Sequence, residues 1–144
     1  MRRLVAPGVV AALALTGCGS GRLSHDQYVA HADAICSAYD QRVQLLTRPT
    51  SYEDIVAYVG QTLPLYVAAL DKLAALQPPR DDERAVRSWL ALNRKVVEAV
   101  RTLRAAAMRH DLAGTNDASA AVQAASLASR RAAAALGTTA CASP

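Results

Sequence analysis

Apolar side chains recur at alternating steps of three and four along four separate stretches of this chain, the spacing of helices packed nearly antiparallel. The first stripe is Tyr28, Ala32, Ile35, Tyr39, Val43 and Leu46; the second is Val56, Val59, Leu63, Tyr66, Leu70 and Leu73. Val86, Trp89, Asn93, Val96, Val100, Leu103 and Ala107 make the third, and Val122, Ala125, Ser129, Ala132 and Leu136 the fourth. Short connections between such stripes give an all-α, up-down-up-down four-helix bundle.

Start and stop signals bound each helix. Ser24 and Gln27 form a capping box, with Leu23 placed to staple onto Tyr28, and Pro49 prevents continuation. Thr50 or Ser51 caps the second helix, with Glu53 or Asp54 three residues on. Pro64 lies inside that helix and removes the bond to the Gly60 carbonyl, which predicts a kink rather than a break. Gln77-Pro78-Pro79 ends it, and Asp81, Asp82 and Glu83 suit the positive end of a third helix dipole. Gly114 marks a loop over 110–115, and the fourth helix is expected over 116–136 with Gly137 as its C-terminal cap. Its alanine-rich face allows close helix approach and leaves little material for a pocket lining. Asn93, on an apolar stripe, reads as a hydrogen-bonded core residue that fixes register, with ligand contact as the alternative.

The N-terminal segment follows another logic. Met1-Arg2-Arg3 is basic, residues 4–15 are apolar, and Leu15-Thr16-Gly17-Cys18 follows. That is a secretory signal, and its last four residues resemble the lipobox of bacterial lipoproteins. The resemblance implies cleavage before Cys18, diacylation of its sulfur and a lipid anchor on the extracytoplasmic face of the cell membrane. A retained span fits poorly: Leu4 to Thr16 falls short of the roughly 20 residues a bilayer needs, and Pro7-Gly8 interrupts it. The chain therefore divides into signal peptide 1–17, lipidated cysteine and tether 18–23, and bundle domain with C-terminal tail 24–144. Six residue steps from Cys18 to Ser24 reach at most about 20 Å, which keeps the domain near the headgroups.

Removing residues 1–17 from 144 leaves 127, one domain's worth, and removing Arg2 and Arg3 lowers the formal charge from +4 to +2. So small a charge in an exported chain argues against a nucleic-acid partner. Lys72 and Lys95 are the only lysines, an arginine bias that reads first as GC-rich codon usage. Arg80, Arg87, Arg94 and Arg101 nevertheless recur every seven residues, with Arg84 nearby, and form one ridge because a heptad drifts only about 20°. A solvated face is the plain reading; contact with an anionic surface or acidic partner is the functional one. Once Cys18 carries lipid, Cys36 and Cys141 remain as a pair in an oxidising compartment, and a disulfide is the default. Two unrelated small apolar side chains, or one metal-binding pair, are the competing readings.

Ala32-Asp33-Ala34-Ile35-Cys36, Leu76-Gln77-Pro78-Pro79, and Leu136-Gly137 followed by Cys141 resemble a group of small uncharacterised actinobacterial lipoproteins. These have an A-D-x-I-C segment in the first helix and a C-terminal cysteine. The resemblance covers about residues 18–142 and implies a helical bundle pinned by the two cysteines. It transfers no catalytic residue.

Chemistry-bearing motifs are scarce. His25, His31 and His110 share no face and match no metal or nucleophile pattern, and each is expected exposed or hydrogen-bonded. The Asp81–Glu83 acids serve a helix start, so no metal and no cofactor are expected. The tyrosines cluster in the first two helices, where Tyr28, Tyr39 and Tyr66 are expected in the core with hydroxyls at the margin. The expectation is thus a non-enzymatic binding or structural module at the cell envelope, with an envelope protein as partner. The alternative is a carrier of an apolar small molecule or lipid between helices, which a cavity of about 300 Å³ or more would support. The third is an enzyme whose site assembles from distant residues, at least one histidine among them.

Overall fold

Ser24 opens the first helix by accepting from the Gln27 amide at 3.2 Å, while the Gln27 side chain takes the Ser24 amide at 2.9 Å. The helix so capped is α1, His25–Val43, in a computed structural model that describes residues 21–143. The signal segment, Cys18 and the start of the tether lie outside the described residues. Ser51 caps α2 (Tyr52–Ala75) with Asp54 as its reciprocal partner, and Thr50 adds its own amide and hydroxyl to the same carboxylate. Both residues offered by the sequence for this cap therefore serve it. Those bonds, led by the Thr50 hydroxyl, hold the Asp54 carboxyl below the ordinary carboxylate range.

α2 runs unbroken through Pro64. Gly60, whose carbonyl loses its donor there, is exposed, so water can meet the loss. A 3₁₀ turn at Arg80–Asp82 then leads into α3 (Glu83–Met108).

The α3–α4 connection corrects the expected boundaries. α4 spans Leu112–Ala135, so the loop over 110–115 shrinks to three residues. The Asp111 amide closes α3 on the Ala106 carbonyl at 3.1 Å, and its carboxylate caps α4 through the Gly114 amide at 2.9 Å. Gly114 is thus a first-turn helix position: a Cβ there would collide with the Asp111 carboxylate.

His110 closes α3 in the left-handed region at φ 53°, with its amide on the Ala107 carbonyl at 3.0 Å. This is a Schellman ending with histidine where glycine is preferred. His110→Gly should raise stability by about 0.5–1 kcal/mol, since left-handed backbone costs a side-chain-bearing residue roughly that much. Urea titration of the two proteins measures it; an unchanged or lower midpoint means that the His110 contacts with Tyr52 and Glu53 outweigh the strain. The end of α4 repeats the motif with glycine in place: Gly137 at φ 83° donates to Ala134, and Thr138 donates to Ala133.

All four stripes turn inward. Tyr28, Ala32, Val59, Leu70, Leu73, Val86, Trp89, Val96, Ala107 and Leu136 are buried, so the chain is an all-α four-helix bundle. Extensive packing runs between consecutive helices only: α1 on α2, α2 on α3, α3 on α4. The N-terminal end of α1 is tied by the Leu23 amide to the Gln77 carbonyl, Arg22 to Pro78 and Glu83, and His25 to Asp82 at 2.7 Å. The remaining seam, between α1 and α4, is where the tail lies.

Candidate functional site: an apolar cavity walled by the C-terminal tail

On α1, Asp33, Cys36 and Asp40 follow one another at three and four residues, a second stripe beside the core stripe. Asp33 and Cys36 both seize the tail. Cys36 and Cys141 form a disulfide, with Cα atoms 5.2 Å apart. The Asp33 carboxylate accepts the Thr139 amide at 3.0 Å, the Thr139 hydroxyl at 2.8 Å, the Ala140 amide at 2.9 Å and the Cys141 amide at 3.3 Å. Burial by itself would raise the Asp33 carboxyl, and the hydrogen bonds from Thr139, Cys141 and Ala140 together outweigh it, leaving its pKa lowered.

That shift has a direction in pH. A carboxyl held below its unfolded value stabilises the fold fully above about pH 3.9, and the contribution is lost as pH falls through the folded pKa. Asp33→Asn should therefore cost about 2 kcal/mol at neutral pH, since hydrogen bonds to a charge carry about 1.5–3. The gap to wild type should close in acid. Denaturation from pH 7 to pH 3 measures it; a gap that persists unchanged at pH 3 would mean that the charge is irrelevant.

With the tail as one wall, the bundle encloses a cavity of about 410 Å³, partly open to solvent and mostly apolar. α2 gives the broadest wall, with Tyr58, Val59, Leu63 and Tyr66; α3 contributes Trp89 and Asn93, and the tail contributes Ala140, Cys141 and Ser143. α4 faces them with Val122, Ser126, Ser129 and Arg130. This corrects the expectation for the alanine-rich helix. Its short side chains do not close the space opposite α2; they leave it empty.

The polar groups of the cavity are few and placed. The Tyr66 hydroxyl donates to Asn93 Oδ1 at 2.5 Å, and Asn93 Nδ2 donates to the Trp89 carbonyl at 2.9 Å. Asn93 is thus the hydrogen-bonded interior residue its position on the stripe implies, and it also lines the cavity. Tyr39 packs edge-on against Tyr66, ring centres 5.3 Å apart. The Tyr66 hydroxyl is therefore turned inward, not to the margin, and burial pushes it up to about 12. Asp40 lines the cavity as well, its carboxyl raised by burial.

The other residues singled out in the sequence lie elsewhere. His25, His31 and His110 are exposed, and none lines the cavity. Arg80, in the 3₁₀ turn, and Arg87, Arg94 and Arg101, along α3, are all exposed; Arg87 pairs with Glu83 at 3.4 Å and Arg101 with Glu98 at 2.6 Å, which offsets half the ridge in cis. No group of His, Cys, Asp and Glu among the described residues could hold a metal ion, and no described helix is long and apolar enough to cross a membrane.

Sequence reasoning missed Asp33 as a tail clamp and Arg130 as a cavity residue. The signal for Asp33 was its spacing of three from Cys36. Arg130 carried no signal, since its side chain matters only through the gap opposite. The chain matches no protein-family model, no curated protein and no solved structure.

Proposed function

We propose that this chain is an exported lipoprotein, anchored through Cys18, whose bundle is a non-enzymatic carrier of an apolar small molecule. The cavity carries the reading. At about 410 Å³, lined by tyrosine, leucine and valine, it falls within the 300–1,000 Å³ range of small-molecule sites. Its few polar groups would orient an occupant, and the short tether would keep it beside the bilayer, where apolar molecules partition.

Trp89 is the sole tryptophan and lines the cavity, so it reports occupancy directly. Residues 19–144, which contain the whole described bundle, should show saturable Trp89 emission changes with straight-chain C8–C12 compounds. Native mass spectrometry of the lipoprotein taken from its own membrane should show a bound small molecule. No saturable change and no copurified mass would remove the carrier reading.

A protein partner has its own observation in favour. Leu45, Met108 and Leu112 are 85%, 61% and 65% exposed, and all three sit at the loop end opposite the anchor. At 1.5 Å per residue α3 is about 39 Å long, so that apolar end would project away from the headgroups. Cross-linking from Leu45 in intact cells tests this reading, and capture of one dominant envelope protein would support it.

A further inference from the structure

The charges in the cavity wall are unequal in what they can do. Arg130 is half-buried on α4, and no acid among the described residues lies within ion-pair reach of it. Asp40, across the seam on α1, also lacks a side-chain partner there. Their needs differ. A half-buried carboxyl relieves its charge by taking up a proton, and burial moves Asp40 in that direction. A guanidinium cannot shed its charge, so a partly desolvated one calls for an anion and offers a fork of donors to receive it. Beside it lie the Ser126 and Ser129 hydroxyls and an apolar wall that reaches to Trp89, whose Nε1 is buried with no acceptor among the described residues. At about 30 Å³ per non-hydrogen atom, the volume a water takes in the liquid, the cavity holds roughly fourteen such atoms. An occupant held within it is one short chain or a small ring system with its head.

We infer that the cavity binds a small amphiphile whose anionic head, carboxylate or phosphate, pairs with Arg130 while its apolar body lies among Leu63, Tyr66 and Trp89. This rests on the carrier reading and adds the class of ligand to it. Arg130 is then the residue that sets specificity, and the ridge on α3 plays no part.

The test compares decanoate, decyl phosphate, decan-1-ol and decylamine on residues 19–144 at pH 7.5, read by Trp89 emission and calorimetry. At least one of the two anions should bind ten-fold or more tighter than the alcohol, and which one does so identifies the head. Arg130→Gln should erase that preference while leaving alcohol affinity within about two-fold, and Arg130→Lys should restore part of it. Equal binding of anions and alcohol to wild type overturns the inference but spares the carrier reading. So does a tighter amine, which would make Asp40 the head contact. Equal weakening of every compound by Arg130→Gln makes the residue merely structural and overturns it too. Failure of all four compounds to bind wild type overturns both readings.

Discussion

Cys141→Ser lowers the stability of the bundle by about 3–4 kcal/mol and its melting temperature by roughly 10–20 °C. The Cys36–Cys141 bridge closes a loop of 105 residues. Loop-closure entropy values a cross-link of that span at up to about 4.7 kcal/mol, and native bridges usually deliver 2–5. For a domain of this size each kilocalorie is worth about 3–6 °C. Far-UV circular dichroism should keep its helical shape below the transition, because the four stripes do not depend on the tail. Trp89 emission should shift to the red, because Ala140 and Cys141 wall the cavity it lines. A melting temperature within about 3 °C of wild type would mean that the Asp33 bonds alone hold the tail. Loss of the helical signal would mean that the tail is essential to folding. The two fastenings grip one segment, so Asp33→Asn with Cys141→Ser should cost less than the single changes added together.

The helices were legible in the sequence because burial imposes a period, and every stripe residue named from the period lies buried or half-buried. Capping was legible where a side chain declares it, at Ser24 and Ser51. The α3–α4 junction was not. Gly114 carries the usual mark of a turn, yet it sits in α4 because Asp111 serves two helices at once, closing α3 with its amide and capping α4 with its carboxylate. The disulfide followed from cysteine count and the oxidising compartment expected of an exported chain, whereas the Asp33 clamp needs the three-dimensional path of the tail. The cavity was illegible for a related reason. A period tells which side of a helix faces in; it does not tell whether the facing side chains together fill the space. On α4 two of the four residues that face the cavity are serines, Ser126 and Ser129, beside Val122 and Arg130, and across from them stand tyrosines whose rings support one another.

A void of this size is not neutral. At about 24 cal/mol per Å³, the increment found for emptied cores, 410 Å³ kept dry would cost about 10 kcal/mol, as much as a whole domain's stability. Partial opening to solvent relieves that cost, and an occupant would relieve it further.

The same arithmetic sets the sharpest test of whether the space is a site or a leftover. Ser129, 5% exposed on α4, lines the cavity. Ser129→Leu would place two more carbon-sized groups into the opening, and at about 0.8 kcal/mol per buried methylene it should raise stability by about 1–2 kcal/mol. Binding of C10 amphiphiles should meanwhile fall at least ten-fold, because the volume they need is taken. Ser126→Leu, one turn away on the same wall, should do the same. Gain of stability with loss of binding is the pattern of a space retained for use, since natural sequences forgo stability where function needs room. Two results would count against a site: binding that survives both substitutions, which would place the ligand elsewhere, or stability that falls in both, which would mean that the wall is already packed as tightly as it can be.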